Sequence, residues 1–159
     1  VRSRRQRQMC IRDRAYTEEF SLFCEGKREF RSFIGNELNI EDFESVLIKI
    51  KRDTMEYIGI NSGRKYIFRN TEYTAPKRPP HEDIEIKENY ELTLQDIKAS
   101  QTITDIGNTK DSRISLMNIN IDRLTGKLSE MESVSNKKTL KKETINNFQA
   151  MCKKEDRSF

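Results

Sequence analysis

The chain has 159 residues, of which 35% are charged and 34% are hydrophobic, and its formal net charge is +4. No apolar run approaches the roughly 20 residues that a membrane-spanning helix needs, so the sequence predicts no integral membrane segment. Recurring clusters of Ile, Leu, Val and Phe favour an ordered chain over a disordered one.

The first fourteen residues are basic and have a recognisable order. Residues 4–14 read RRQRQMCIRDR, which resembles at every position the translation of an adapter used in transposon-based sequencing libraries. We therefore expect residues 1–14 to be an adapter-derived artefact. Residues 15–159 are then expected to be a single β domain that is truncated at its N-terminus. A basic targeting or nucleic-acid-binding arm is the alternative interpretation of such a run.

The charge balance changes when this segment is set aside. It contains six arginines and one aspartate, so residues 15–159 contain 24 basic and 25 acidic residues and have a formal net charge of −1. Non-specific phosphate binding depends on a clustered excess of Lys and Arg. A nucleic-acid partner is therefore not favoured by the overall charge.

Alternation of apolar and polar residues predicts strands in the first half of the chain. One strand covers 20–24 and is interrupted at Gly26, and another covers 46–50. A short helical turn is predicted near 40–44, because Asn39 is a suitable N-cap, and a helix over 40–50 is the alternative. Segments 57–60 and 64–69 flank an Asn-Ser-Gly turn and predict a hairpin. Three prolines predict a loop from about 71 to 82.

The second half continues the pattern through Ile84, Ile86, Leu92 and Leu94. A clear hairpin pairs 114–122 with 127–134 around a structural turn, in which the Asp122 side chain opens the turn and Gly126 accepts the positive φ that closes it. The Lys-rich stretch 137–142 is predicted to be a solvated loop, and a last strand covers 148–153. We therefore expect a mainly β fold, an antiparallel sandwich or small up-and-down barrel of roughly seven to nine strands.

Cys24 and Cys152 lie in the first and last predicted strands. Such strands are often neighbours when an antiparallel sheet closes, so these residues are candidates for a disulfide. The bond would stabilise the fold by roughly 3 to 5 kcal/mol through loop-closure entropy and would imply an oxidising compartment, the periplasm or the medium. Two buried free thiols are the alternative.

Three short motifs carry a resemblance. They are Cys24-Glu25-Gly26, the segment NINIDRLTGKL at 118–128, and CKKEDRSF at 152–159. The layout resembles a group of small exported proteins of marine bacterial metagenomes. In that group Gly stands two residues before the late Cys, where this chain has Ala150. The resemblance implies export with a signal peptide and implies no activity.

Residues that point to chemistry are few. His81, in a proline-rich loop, is the single histidine, so with two distant cysteines it does not make a tetrahedral zinc set. Cys24 lacks the His partner that a catalytic cysteine needs. No phosphate-binding loop or nucleophile motif is present. The sequence therefore predicts no catalytic residue, no metal and no cofactor.

Two functions follow as expectations. The first is a non-enzymatic exported domain, either structural or binding a small apolar or envelope ligand in a cavity lined by residues such as Ile48, Ile50 and Phe68. The second is a cytoplasmic barrel that binds single-stranded nucleic acid. It requires an exposed stacking platform, and its residues would be Arg64, Tyr66, Phe68 and Arg69.

Overall fold

The computed structural model describes residues 19–31, 39–76, 83–107 and 109–155. These residues form one antiparallel sheet of ten strands, and none of them is helical. The mainly β fold predicted from the sequence is confirmed, with more strands than the roughly seven to nine expected for such closed sheets. The strands are β1 (Phe20–Arg31), β2 (Asn39–Ile50), β3 (Met55–Gly59), β4 (Lys65–Phe68), β5 (Thr71–Ala75), β6 (Ile84–Leu92), β7 (Asp96–Asp105), β8 (Arg113–Asp122), β9 (Lys127–Asn136) and β10 (Lys142–Glu155).

The sheet curls into a half-barrel in the order β4-β3-β2-β1-β10-β9-β8-β7-β6-β5. Strands that are neighbours in sequence therefore pair with each other, except for β4 and β5, which form the two edges of the sheet. The remaining pair joins β1 to β10. The two residues Arg69 and Asn70 connect these edges directly. This topology places the first and last strands side by side at the centre of the sheet.

Asn70 attaches the connection between the two edges to β6. Its side-chain oxygen accepts a hydrogen bond from the Tyr90 amide at 2.9 Å, and its side-chain nitrogen donates to the Tyr90 carbonyl at 3.1 Å. β5 pairs with β6 only as far as Glu88, so the Asn70 amide takes the place of a ladder partner at this point. The Tyr90 hydroxyl donates to the carbonyl of Lys51 at 2.8 Å, which holds β6 against the β2–β3 turn.

The helical turn predicted near 40–44 is wrong. β2 is extended throughout and pairs with β1 from Asn39 to Ile50. A helix would place Phe43 on one face with Val46 and Ile50, but the Phe43 side chain is 62% exposed while those two are buried. Pairing with β1 satisfies the backbone of this segment, and the alternation from Glu44 to Ile50 then buries every second side chain.

Two further expectations about boundaries are also wrong. The segment predicted to be a loop from 71 contains β5, which pairs with β6, while residues 77–82 and therefore His81 lie outside the described residues. β1 continues through Gly26 to Arg31. Gly26 faces Ala150 so closely that a Cβ at this position would lie 1.9 Å from the carbonyl oxygen of Gln149. Glycine is required here by close contact between strands.

The inward face of the curled sheet divides into two ends. One end, which holds the starts of β1 and β7 and the ends of β2, β8 and β10, is apolar. The other end contains buried polar side chains on five strands. The apolar core consists of Cys24, Val46, Ile48, Ile50, Met55, Tyr57, Phe68, Tyr90, Ile97, Ala99, Met117, Ile119, Ile121, Leu128, Phe148 and Ala150. In the part of the chain that the structure describes, no helix has the length and apolar character to cross a membrane.

Candidate functional site

A disulfide joins Cys24 on β1 to Cys152 on β10. The two residues are direct partners in the β1–β10 ladder, with their Cα atoms 4.0 Å apart. They are separated by 128 positions in the sequence, so the bond closes a loop that contains nearly the whole domain. Cys24 is buried, whereas Cys152 is partly exposed at the apolar end of the sheet.

The β8–β9 turn lies against this disulfide. One carboxylate oxygen of Asp122 accepts hydrogen bonds from the amides of Leu124 and Thr125, at 2.8 and 3.1 Å. Gly126 has a φ of 73° and donates its amide to the Asp122 carbonyl. Its own carbonyl accepts from the Cys152 amide at 2.7 Å. The turn therefore has the structure that the sequence indicated, and it is attached to the last strand.

A cavity of about 360 Å³ opens between this turn and the disulfide. Inward side chains at the ends of the strands form its wall, and the turn residues cover it. Small-molecule sites typically begin at about 300 Å³ and combine apolar walls with a few polar groups. We call it the disulfide-end pocket, and its lining residues are Phe20, Leu22, Ile97, Ile121, Asp122, Arg123, Leu124, Thr125, Gly126, Cys152 and Lys154.

Two cations stand at the rim of the disulfide-end pocket. The guanidinium carbon of Arg123 lies 5.6 Å from the centre of the Phe20 ring, and the ammonium of Lys154 lies 5.8 Å from the same centre. Arg123 Nη1 donates to the Thr93 carbonyl at 2.5 Å, which fixes its position. Within the described ranges neither cation forms an ion pair.

Asp122 is the one acid among the described residues that line the pocket, and its carboxylate accepts hydrogen bonds within the turn. Hydrogen bonds from the backbone of Thr125, and then of Leu124, hold the pKa of this carboxyl below its usual range. The adjacent Ile121 points into the core, so strand alternation directs Asp122 away from it. The electrostatic character of the rim is therefore positive.

A second group of residues, which the sequence did not indicate, lies in the interior toward the other end. Arg28 is 1% exposed and its Nη1 donates to Glu130 at 2.7 Å and to Asn146 at 2.9 Å. Its Nη2 donates to the Tyr57 hydroxyl at 2.7 Å, and its Nε donates to Glu44. The side chains come from β1, β2, β3, β9 and β10, so this Arg28 cluster connects half of the sheet across its interior.

The charges in the Arg28 cluster are held by mutual pairing. Burial opposes the charged form of Arg28, but hydrogen bonding to Glu130 and the charge of that carboxylate together raise the pKa of the guanidinium above its ordinary value. Burial, and then the charge of Glu130, raise the pKa of the Tyr57 hydroxyl. The guanidinium also lies 4.4 Å from the centre of the Phe148 ring. These groups are enclosed, so the cluster acts as an internal support and not as an open site.

The nucleic-acid platform is not formed. Phe68 is 0% exposed and belongs to the core. Tyr66 is half-buried and packs against that core. Burial raises the pKa of the Tyr66 hydroxyl. Arg64 pairs with Glu132 at 3.3 Å, and Arg69 is exposed in the connection between the edges. The two aromatics face inward because their strand partners Met55 and Tyr57 do, which leaves no exposed stacking surface on β4.

The cavity expected around Ile48, Ile50 and Phe68 is also absent, since all three are fully buried in the packed core. The disulfide-end pocket lies beyond them at the end of the barrel. No cluster of three metal-ligating side chains occurs among residues that the structure describes.

A second, polar groove lies on β6, β7 and β8. It has a volume of about 550 Å³, and its walls include Asn89, Ser100, Asn118 and Asn120.

Comparison of the chain with protein-family models, with curated proteins and with solved structures found no match.

Proposed function

We propose that this domain is a non-enzymatic, exported binding protein that holds a small apolar ligand in the disulfide-end pocket. The observation that carries the proposal is the cavity of about 360 Å³ between the β8–β9 turn and the disulfide. Its apolar side chains offer burial to a ligand at about 25 cal/mol for each Å² of apolar surface removed from water. The turn and the strand ends supply a small number of polar groups at its edge.

Export is supported by the disulfide. Such bonds form and persist in oxidising compartments and are rare in the cytosol. The bond also stabilises the wall of the pocket, because Cys152 is one of the lining residues and the turn is hydrogen-bonded to it. Outside the cell, the fold around a binding site must be stable without cytosolic chaperones. A disulfide between the first and last strands contributes to that stability.

The proposal is tested with the neutral fluorophore N-phenyl-1-naphthylamine, whose emission rises in an apolar site. We expect saturable binding by the oxidised protein at one site. Leu22→Trp should abolish it, because Leu22 lines the pocket and an indole would fill the space. The matched control is Phe43→Trp, at an exposed position on the adjacent strand β2, which should bind as the unmodified protein does.

Both variants are first checked for the β-sheet circular dichroism spectrum and for cooperative unfolding. Absence of saturable fluorescence with the unmodified protein would contradict the binding function. Equal binding by Leu22→Trp and Phe43→Trp would place the fluorophore elsewhere. Either result would favour a structural role for the domain.

A further inference from the structure

We infer that the ligand of the disulfide-end pocket is an amphiphile with a single short apolar tail and an anionic head group, a carboxylate or a phosphate ester. The inference rests on the proposed function and specifies its ligand class. It is carried by three features of the pocket, which are its volume, the two cations at its rim and the hydrogen bonds that hold Asp122, the one acid among its described lining residues, in the turn.

The size of the cavity restricts the tail. A water-sized group occupies about 30 Å³ of liquid volume, so a cavity of about 360 Å³ accommodates about a dozen such groups. A single alkyl chain of about ten carbons has this size, whereas a diacyl lipid does not. The wall that would contact the tail is formed by the partly exposed side chains of Phe20 and Leu22. Ile97 and Ile121 also adjoin the pocket, but their side chains are buried in the core.

The rim selects the head group. Arg123 approaches the Phe20 ring from the β8–β9 turn and Lys154 approaches it from β10, at 5.6 and 5.8 Å from the ring centre, so both positive charges lie close to an anion bound beside that ring. Hydrogen bonds between charged donors and a carboxylate or phosphate are about twice as strong as neutral ones. Arg123 uses Nη1 for the Thr93 carbonyl, and no other hydrogen bond of its guanidinium is formed with the described part of the chain.

Among the residues that the structure describes, the neighbouring acids do not neutralise these cations. Asp122 is committed to the backbone of the turn. Glu155 follows Lys154 in β10, and strand alternation therefore directs its side chain to the opposite face of the sheet. Asp96, opposite Asp122 in the β7–β8 ladder, pairs with Lys98 at 3.8 Å. A cationic amphiphile would meet repulsion at this rim, and a neutral one would gain only the burial of its tail.

The experiment compares four ligands of equal chain length by displacement of N-phenyl-1-naphthylamine, below their micelle-forming concentrations. They are decanoate, decyl phosphate, decanol and decyltrimethylammonium. We expect the better of the two anions to bind at least about tenfold more tightly than decanol, since hydrogen bonds to charged groups contribute about 1.5 to 3 kcal/mol. The preference between decanoate and decyl phosphate identifies the head group. Raising the salt concentration should weaken the anions selectively.

Arg123→Gln and Lys154→Gln should each reduce the affinity for the preferred anion by about threefold to tenfold and leave decanol unchanged. Arg113→Gln at the start of β8 and Lys142→Gln at the start of β10 are the matched controls, because each removes a cation from the strand end opposite the pocket. Both controls should retain full affinity for the anion.

The outcomes separate the two claims. If decanol binds as tightly as both anions, or if the rim variants bind the anions normally, the inferred head group is wrong while the apolar pocket stands. If the cationic amphiphile binds best, the inference is likewise overturned. If none of the four ligands displaces the fluorophore, and the fluorophore itself does not bind, the proposed function fails together with the inference.

Discussion

Replacing Arg28 by methionine is expected to destabilise the domain strongly. The side chain is 1% exposed and pairs with two carboxylates, Glu44 and Glu130, that are themselves buried. Methionine approximates the volume of the aliphatic stem but leaves both acids without their cation. Breaking a buried ion pair by removing one partner typically costs about 3 to 5 kcal/mol, so we expect a loss in this range.

The measurement is urea unfolding of the oxidised protein at neutral pH, followed by circular dichroism. The midpoint should fall with little change in the dependence on urea. The triple variant Arg28→Met, Glu44→Gln, Glu130→Gln should recover part of the stability, since it contains no buried charge from this cluster. A loss below about 1 kcal/mol for Arg28→Met would refute the reasoning, because that is the range of exposed pairs.

Three other predictions follow from single contacts. Replacing Cys24 and Cys152 together by serine should lower the stability by roughly 3 to 5 kcal/mol, measured by urea unfolding, and reductant should then have no further effect. Gly26→Ala should cost more than about 1 kcal/mol and disturb the β1–β10 amides in NMR spectra, because its Cβ would overlap the backbone of β10; unchanged spectra would contradict this. Burial raises the pKa of Tyr90 to about 12, so its folded-state pKa exceeds the unfolded value of about 10. The stability from this group is present below pH 10 and is lost as the pH rises toward 12, which absorbance at the tyrosinate band and unfolding at each pH would follow.

Features governed by local pattern could be predicted from the sequence. The Asp122–Gly126 turn depends on a short side chain and on a positive φ, and both requirements are visible in five consecutive residues. In the second half of β8 the buried residues Met117, Ile119 and Ile121 alternate with the exposed Asn118 and Asn120. The pairing of the two cysteines required one further assumption, that the first and last strands are neighbours, and the topology has this arrangement.

Features that depend on polar residues in the interior could not be predicted in this way. β7 places Gln101 on its inward side, where the amide donates to the buried Glu88 at 2.9 Å, so the strand lacks a continuous apolar alternation. Arg28 likewise occupies an inward position of β1, where it donates a hydrogen bond to Glu130 on β9. In the sequence, a charged residue at such a position indicates a solvated loop or an outward-facing side chain, because its partners on distant strands are not apparent there.

The disulfide-end pocket belongs to this second group of features. Phe20, Leu22 and Ile121 are recognisable as strand residues, but their convergence depends on the curl of the sheet and on how far each strand extends beyond the core. The alternation pattern indicates a cavity among Ile48, Ile50 and Phe68 instead, but these side chains are fully buried in the packed core.

The central claim is that a small amphiphile binds at the disulfide end of the half-barrel, and titration by amide NMR tests it most directly. Decanoate or decyl phosphate is added to the ¹⁵N-labelled, oxidised protein. The account predicts saturable shift changes concentrated at Leu22, Ile97, Leu124 and Cys152, with the amides of the Arg28 cluster unchanged. An absence of saturable shifts, or shifts centred on the opposite end of the sheet, would contradict it.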